Sequence, residues 1–83
     1  MPDAVSAVVF SALARHLRMP GEEMARLREE SLERLGLDSH GLMRVLLDIE
    51  RELKLPSRLE LPDDALESPA SLAAGVVSAV SAG

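Results

Sequence analysis

Apolar residues recur every three or four positions in three separate stretches of the chain, as they do along one face of an amphipathic helix. The stretches predict helices over residues 3–17, 39–54 and about 69–81. Their apolar stripes are Val5, Val9, Leu13 and Leu17, then Leu42, Leu46, Ile49 and Leu53, and finally Leu72, Val76 and Val80. No stretch shows the alternation of a β-strand, so the pattern predicts a core formed by helices.

Prolines mark the ends of these segments, because proline donates no backbone N–H and biases the preceding residue away from a helix. Pro20 and Pro56 end the first two helices, and Ser68-Pro69 is a typical helix start. The connection over residues 19–38 is expected to be part helix and part loop, and residues 62–67 allow one helical turn. The prediction is an all-α fold, a small bundle of three main helices plus one short helix.

Composition excludes several functional classes. With 83 residues, the chain is expected to form one domain over residues 1–83, with a core at about 4–81. Without cysteine it has no disulfide or thiolate site, and two distant histidines argue against a metal site. Fourteen acids against nine bases, with one aromatic residue, argue against nucleic acid or an anionic membrane as partner. The apolar run over residues 4–14 lacks the basic leader of a signal peptide, so we expect a cytoplasmic protein.

The sharpest local motif is LGLDS, at residues 35–39, where the long connection meets the second main helix. Gly36 permits a turn at little steric cost, and Asp38 and Ser39 fall at the first positions of the helix. A helix N-terminus has unpaired N–H groups and a partial positive charge, which stabilise an attached anion such as a phosphate. From these residues alone two interpretations stay open: a simple helix cap, or a serine presented for modification.

The longer segment LGLDSHGLMRVLLDIERELKL resembles the signature region of acyl and peptidyl carrier proteins. In that family a Gly-x-Asp-Ser element opens the second helix, and the serine carries a 4′-phosphopantetheine arm. Other features of the chain also match the family: its length, the long first loop, Glu50 in the second helix, and a last helix that follows a proline. The resemblance therefore covers about residues 5–80. The resemblance implies an acyl-carrier-like fold with the cofactor attached covalently to Ser39.

The resemblance also implies that the protein is a non-catalytic carrier. A phosphopantetheinyl transferase would modify Ser39, with Mg²⁺ and coenzyme A needed only during that step. The thiol of the arm would then hold an acyl or aminoacyl thioester, supplied by a loading enzyme (a ligase or an acyltransferase) and used by a downstream synthase. The spacing of the residues offers no base for Ser39, so we expect no catalytic residue. We also expect no metal site and a monomeric carrier.

Two positions depart from the family's pattern and bear on the choice of partners. The residue directly after the serine is usually apolar in the family, and here it is His40. The fifth residue after the serine is often acidic in fatty-acid carriers, and here it is Arg44. Both favour a dedicated polyketide or nonribosomal peptide pathway. A general fatty-acid synthesis carrier and an unmodified carrier-like scaffold remain as alternatives.

Five residues around Ser39 are candidates for a partner interface: Leu37, Asp38, His40, Met43 and Arg44. Leu37 is expected to face partners, whereas Met43 fits a soft docking contact and a core position equally well. His40 either lies as an imidazolium beside the phosphate of the arm or is a solvated side chain on the first turn.

Charged residues farther along the helices have simpler expected roles. Arg44, Asp48 and Arg51 follow one another at helical spacing, which predicts a row of ion pairs within the second main helix. His16 is expected to be a polar residue at the edge of the first helix, without a role.

Overall fold

The structure is a computed structural model that describes residues 2–56 and 58–82. Its helices are α1 (Pro2–Leu17), α2 (Gly21–Arg26), α3 (Ser39–Leu53) and α4 (Pro69–Ala82), with a 3₁₀ turn (Asp63–Leu66) before α4. No β-strand occurs within these two ranges. The predicted all-α bundle is therefore confirmed, and each of its three main helices begins and ends within one residue of the predicted bounds.

Local sequence explains where α4 begins and where α3 ends. The Ser68 hydroxyl oxygen accepts a hydrogen bond from the backbone N–H of Ser71 at 3.2 Å, and Pro69 follows as the first residue of α4. Lys54 adopts a left-handed conformation with φ of 53° at the end of α3, and the N–H of Leu55 donates to the carbonyl oxygen of Glu50. Such a turn satisfies carbonyl groups that a helix end leaves without partners.

The hydrophobic core lies where α1 packs against α3 and α4. Its fully buried side chains come from every helical segment except the 3₁₀ turn, and they include Val9, Leu13, Met24, Val45, Ile49, Leu72 and Val76. On α3 the stripe is centred on Val45 and Ile49, while Leu42, Leu46 and Leu53 are partly buried at its edges. No helix in the described ranges combines the length and the apolar character needed to cross a membrane.

The long connection between α1 and α3 is part helix and part turns, as predicted, and it is fixed to the rest of the bundle. Its Met24 and Leu32 side chains are buried in the core. The N–H of Leu32 donates to the carbonyl oxygen of Glu67, and the N–H of Ala70 donates to that of Arg28, both at 2.8 Å. These bonds hold the connection against the start of α4, so its last residues reach α3 at a defined place.

Candidate functional site

The site is the corner where the connection turns into α3. Gly36 has φ of +97°, a region that favours glycine, and this turn directs Leu37 back towards the core. The N–H of Leu37 donates to the carbonyl oxygen of Leu32 at 3.0 Å. Asp38 follows as the N-cap, and its Oδ1 accepts a hydrogen bond from the N–H of Gly41 at 2.7 Å. The predicted turn and cap are both present.

Ser39 is the first residue of α3, and its side chain is exposed. Of the N–H groups in the first turn, that of Gly41 is taken by the Asp38 carboxylate, whereas those of Ser39 and His40 precede any helical acceptor. They give the helix end its partial positive charge, so an anion attached to Ser39 would be stabilised there. Within the described residues, no histidine or carboxylate hydrogen-bonds the Ser39 hydroxyl.

A shallow groove of about 410 Å³ lies beside Ser39. Its walls come from the connection, the first turn of α3 and the 3₁₀ turn, and they include Leu32, Glu33, Leu42 and Leu66. The hydroxyl therefore opens onto a surface that another protein can reach.

Leu37 corrects one expectation about the partner interface. Its side chain is only 8% exposed and belongs to the hydrophobic core, so it does not face a partner in this conformation. Gly41 explains how it fits, because a Cβ atom at that position would lie 2.9 Å from Leu37 Cδ1. The first turn of α3 thus leaves space for the Leu37 side chain, a relation that appears only when the two residues are placed in three dimensions.

The other four interface candidates are exposed at the corner or on α3. Asp38, His40 and Arg44 all lie at the surface, and the Met43 side chain is 60% exposed. Met43 is therefore not a core residue. Leu47, one turn later, is a second exposed large apolar side chain at 42%. It lies outside the apolar stripe of the helix, so the repeat gives no signal for it.

The expected row of ion pairs within α3 is wrong, because its central acid has another partner. Asp48 Oδ2 lies 2.7 Å from Nε2 of His16, a contact that joins α3 to the last turn of α1. His16, expected to have no role, therefore links two main helices. Arg15 makes a parallel link, with its Nη2 3.1 Å from Glu52 Oε1. The packing of α1 on α3 decides these pairs, and spacing within one helix does not reveal them.

Glu50 also has a structural partner outside its helix. Its Oε2 accepts a hydrogen bond from the backbone N–H of Leu59 at 2.8 Å. The bond ties the segment after α3 back to that helix, so the acid that resembles the family's pattern also has a structural role.

A serine that is to carry 4′-phosphopantetheine needs an accessible hydroxyl, room for a flexible arm and an environment that accepts a phosphodiester. The start of α3 offers all three, because Ser39 is exposed, borders an open groove and lies at the positive end of a 15-residue helix. The residues present therefore fit this cofactor.

Comparison with known families agrees with this geometry. The family model described as "phosphopantetheine attachment site" matches residues 7–76, which is well over half of the chain and includes the start of α3. Comparisons with curated proteins and with solved structures gave no match.

Proposed function

This chain belongs to the phosphopantetheine attachment-site family of carrier proteins, and from that membership we propose that Ser39 carries the 4′-phosphopantetheine arm. The family implies a covalently attached arm, and the exposed position of Ser39 as first residue of α3 is the observation that carries the assignment. Of the residues named as candidates, Ser39 is the one with a hydroxyl at the corner where the connection meets α3.

The modification joins Ser39 to the arm by a phosphodiester. The Ser39 Oγ–P bond forms at the β-phosphate of coenzyme A, and the bond from that phosphorus to the oxygen of the leaving nucleotide breaks. Adenosine 3′,5′-bisphosphate leaves, and a base of the transferase takes the hydroxyl proton. Mg²⁺ acts during this step on the phosphates, whose charge it offsets. The assignment of the base to the transferase is supported by the surroundings of Ser39, where no described side chain forms a hydrogen bond with the hydroxyl.

The modified protein acts as a non-catalytic acyl or aminoacyl carrier. Family members generally work with phosphopantetheinyl transferases and synthase enzymes, and we extend this to a loading ligase or acyltransferase and a downstream synthase. His40 directly after Ser39 and Arg44 five residues after it are both exposed, so the two departures from the family's pattern can contact partners, which favours a polyketide or nonribosomal peptide pathway with its own partners. The proposal includes a single monomeric domain in the cytoplasm.

The test is intact-protein mass spectrometry after incubation with coenzyme A, Mg²⁺ and a broad-range phosphopantetheinyl transferase. The wild type should gain the mass of phosphopantetheine, and Ser39→Ala should not. Ser78→Ala, which removes an exposed serine of α4, is the matched control and should gain the mass. Modification of Ser39→Ala would assign the arm to another residue. No gain by the wild type with several transferases would favour the unmodified scaffold.

A further inference from the structure

A second shallow groove lies beside the start of α3, on the side that faces α1. It has a volume of about 390 Å³ and is called here the α1–α3 groove. Its own lining residues are His16, Leu17, Gly36, His40, Gly41 and Arg44. The groove of about 410 Å³ beside Ser39, called here the α3–3₁₀ groove, lies on the other side of the same corner. Leu37 and Asp38 line both grooves, so an arm attached to Ser39 can enter either of them.

The α3–3₁₀ groove is on the acidic side of the corner. Glu33 lines it, and Glu29 and Glu67 join Glu33 around a neighbouring depression of the surface. All three glutamates are exposed, and none of them forms an ion pair within the described residues. Because no base is among the described residues that line these two depressions, this side of the corner repels an attached anion.

The α1–α3 groove is on the basic side. Arg44 and His40 line it, and the one carboxylate among its described lining residues belongs to Asp38. Asp38 lines both grooves, and the positive end of α3 lies between them, so neither of these features favours one groove over the other. The difference between the two sides therefore comes from the glutamates on one side and from Arg44 and His40 on the other.

Arg44 has a charge that is available to an anion. Its side chain is exposed and forms no ion pair in the part of the chain that the structure describes. Asp48, one turn later on the same helix, contacts His16 instead. Side chains of a helix lean towards its N-terminus, and Arg44 accordingly lines the groove together with residues of the first turn.

We propose that the α1–α3 groove holds the phosphate-bearing end of the arm. The phosphodiester accepts hydrogen bonds from the guanidinium of Arg44 and the imidazole of His40, and the two methyl groups of the neighbouring pantoyl unit contact Leu17. The groove has room for them, because even a Cβ atom at Gly36 would meet nothing within 4 Å. The inference rests on the proposed attachment of the arm at Ser39. The two departures from the family's pattern thus act within the modified protein itself.

The test is a measurement of nuclear Overhauser effects on the protein after a broad-range transferase has loaded it with phosphopantetheine. Cross-peaks from the pantoyl methyl groups to protons of Leu17 and Gly36 are expected. Cross-peaks to Leu66, which lines the α3–3₁₀ groove, are not expected. Strong salt should weaken the expected cross-peaks, because Arg44 is exposed and its charge is screened.

Substitutions of arginine separate a charge in the groove from charge elsewhere on the helix. Arg44→Gln should lower the intensity of the cross-peaks about twofold, the size expected for the loss of one exposed charge pair. The matched control is Arg51→Gln, the same change at an exposed arginine two turns later that is not among the lining residues, and it should leave the intensity unchanged. Arg44→Lys keeps the charge and should keep most of the intensity. Circular dichroism checks that each variant is folded.

The ³¹P resonance of the arm gives a second readout. A phosphodiester has no ionisation between about pH 5 and pH 8, whereas histidine titrates in this range. A step in the ³¹P shift of the wild type is therefore expected from His40, and His40→Gln should abolish it. His16→Gln should retain the step, since the ring of His16 is engaged with Asp48.

The outcomes distinguish this inference from the proposed function. If the protein is loaded but the methyl groups contact Leu66 or neither groove, the binding of the arm on the α1 side is refuted while its attachment at Ser39 stands. Equal intensities in Arg44→Gln and Arg51→Gln would also refute it. If the wild type is not loaded at all, the attachment and the groove fall together.

Discussion

The carboxylate of Asp38 stabilises the first turn of the helix that begins at Ser39. Its Oδ1 accepts the Gly41 N–H at 2.7 Å, and its negative charge lies at the positive end of α3. Asp38→Ala removes both the hydrogen bond and the charge. Asp38→Asn keeps a side-chain acceptor and removes only the charge, so the two variants separate the two contributions.

The expected losses follow from these two contributions. Removing an N-cap acceptor costs about 1 kcal/mol, and the charge adds about 0.3 kcal/mol, the lower end of its range, because Asp38 is exposed. We therefore expect the free energy of unfolding to fall by about 1.3 kcal/mol in Asp38→Ala and by about 0.3 kcal/mol in Asp38→Asn. For 83 residues the unfolding entropy is roughly 0.17 kcal/mol/K, so the melting temperature should fall by about 7 °C and about 2 °C.

The assay is thermal unfolding followed by far-UV circular dichroism, in low-salt buffer at neutral pH. The order wild type, Asp38→Asn, Asp38→Ala is expected, with the larger step between the two variants. If Asp38→Ala melts together with the wild type, the cap bond contributes nothing to stability. If Asp38→Asn melts as low as Asp38→Ala, the charge is the main contribution, and the reasoning from the hydrogen bond is wrong.

Two further predictions concern side chains whose places differ from expectation. Leu37→Ala should lower the free energy of unfolding by about 2–4 kcal/mol, because the side chain is buried. Met43→Ala, at an exposed position, should change it by less than about 0.5 kcal/mol. Equal losses for the two variants in chemical denaturation would contradict the assigned burial. A double-mutant cycle of His16→Ala and Asp48→Ala should give a coupling of roughly 0.5–1 kcal/mol, since the pair is only partly exposed and joins two helices. Additive losses in that cycle would show that the contact does not stabilise the bundle.

The helices and the place of the candidate site could be read from local sequence. Periodic apolar residues at 3–17, 39–54 and 69–81 predicted the three main helices, because the sides of a helix are fixed by its 3.6-residue repeat alone. The turn at Gly36 and the cap at Asp38 were equally accessible, since both depend on the conformational preferences of one or two residues. The start of α3 at Ser39 follows from these same local preferences, whereas the exposure of its side chain depends on packing.

Which side chains meet across the bundle was decided by tertiary structure. His16 and Asp48 are 32 positions apart in the chain, and they come within 2.7 Å only because α1 packs on α3. Leu37 looked available to partners, but the space left by Gly41 lets it enter the core. A repeat along one helix determines its faces, whereas the contacts between faces depend on how the helices pack.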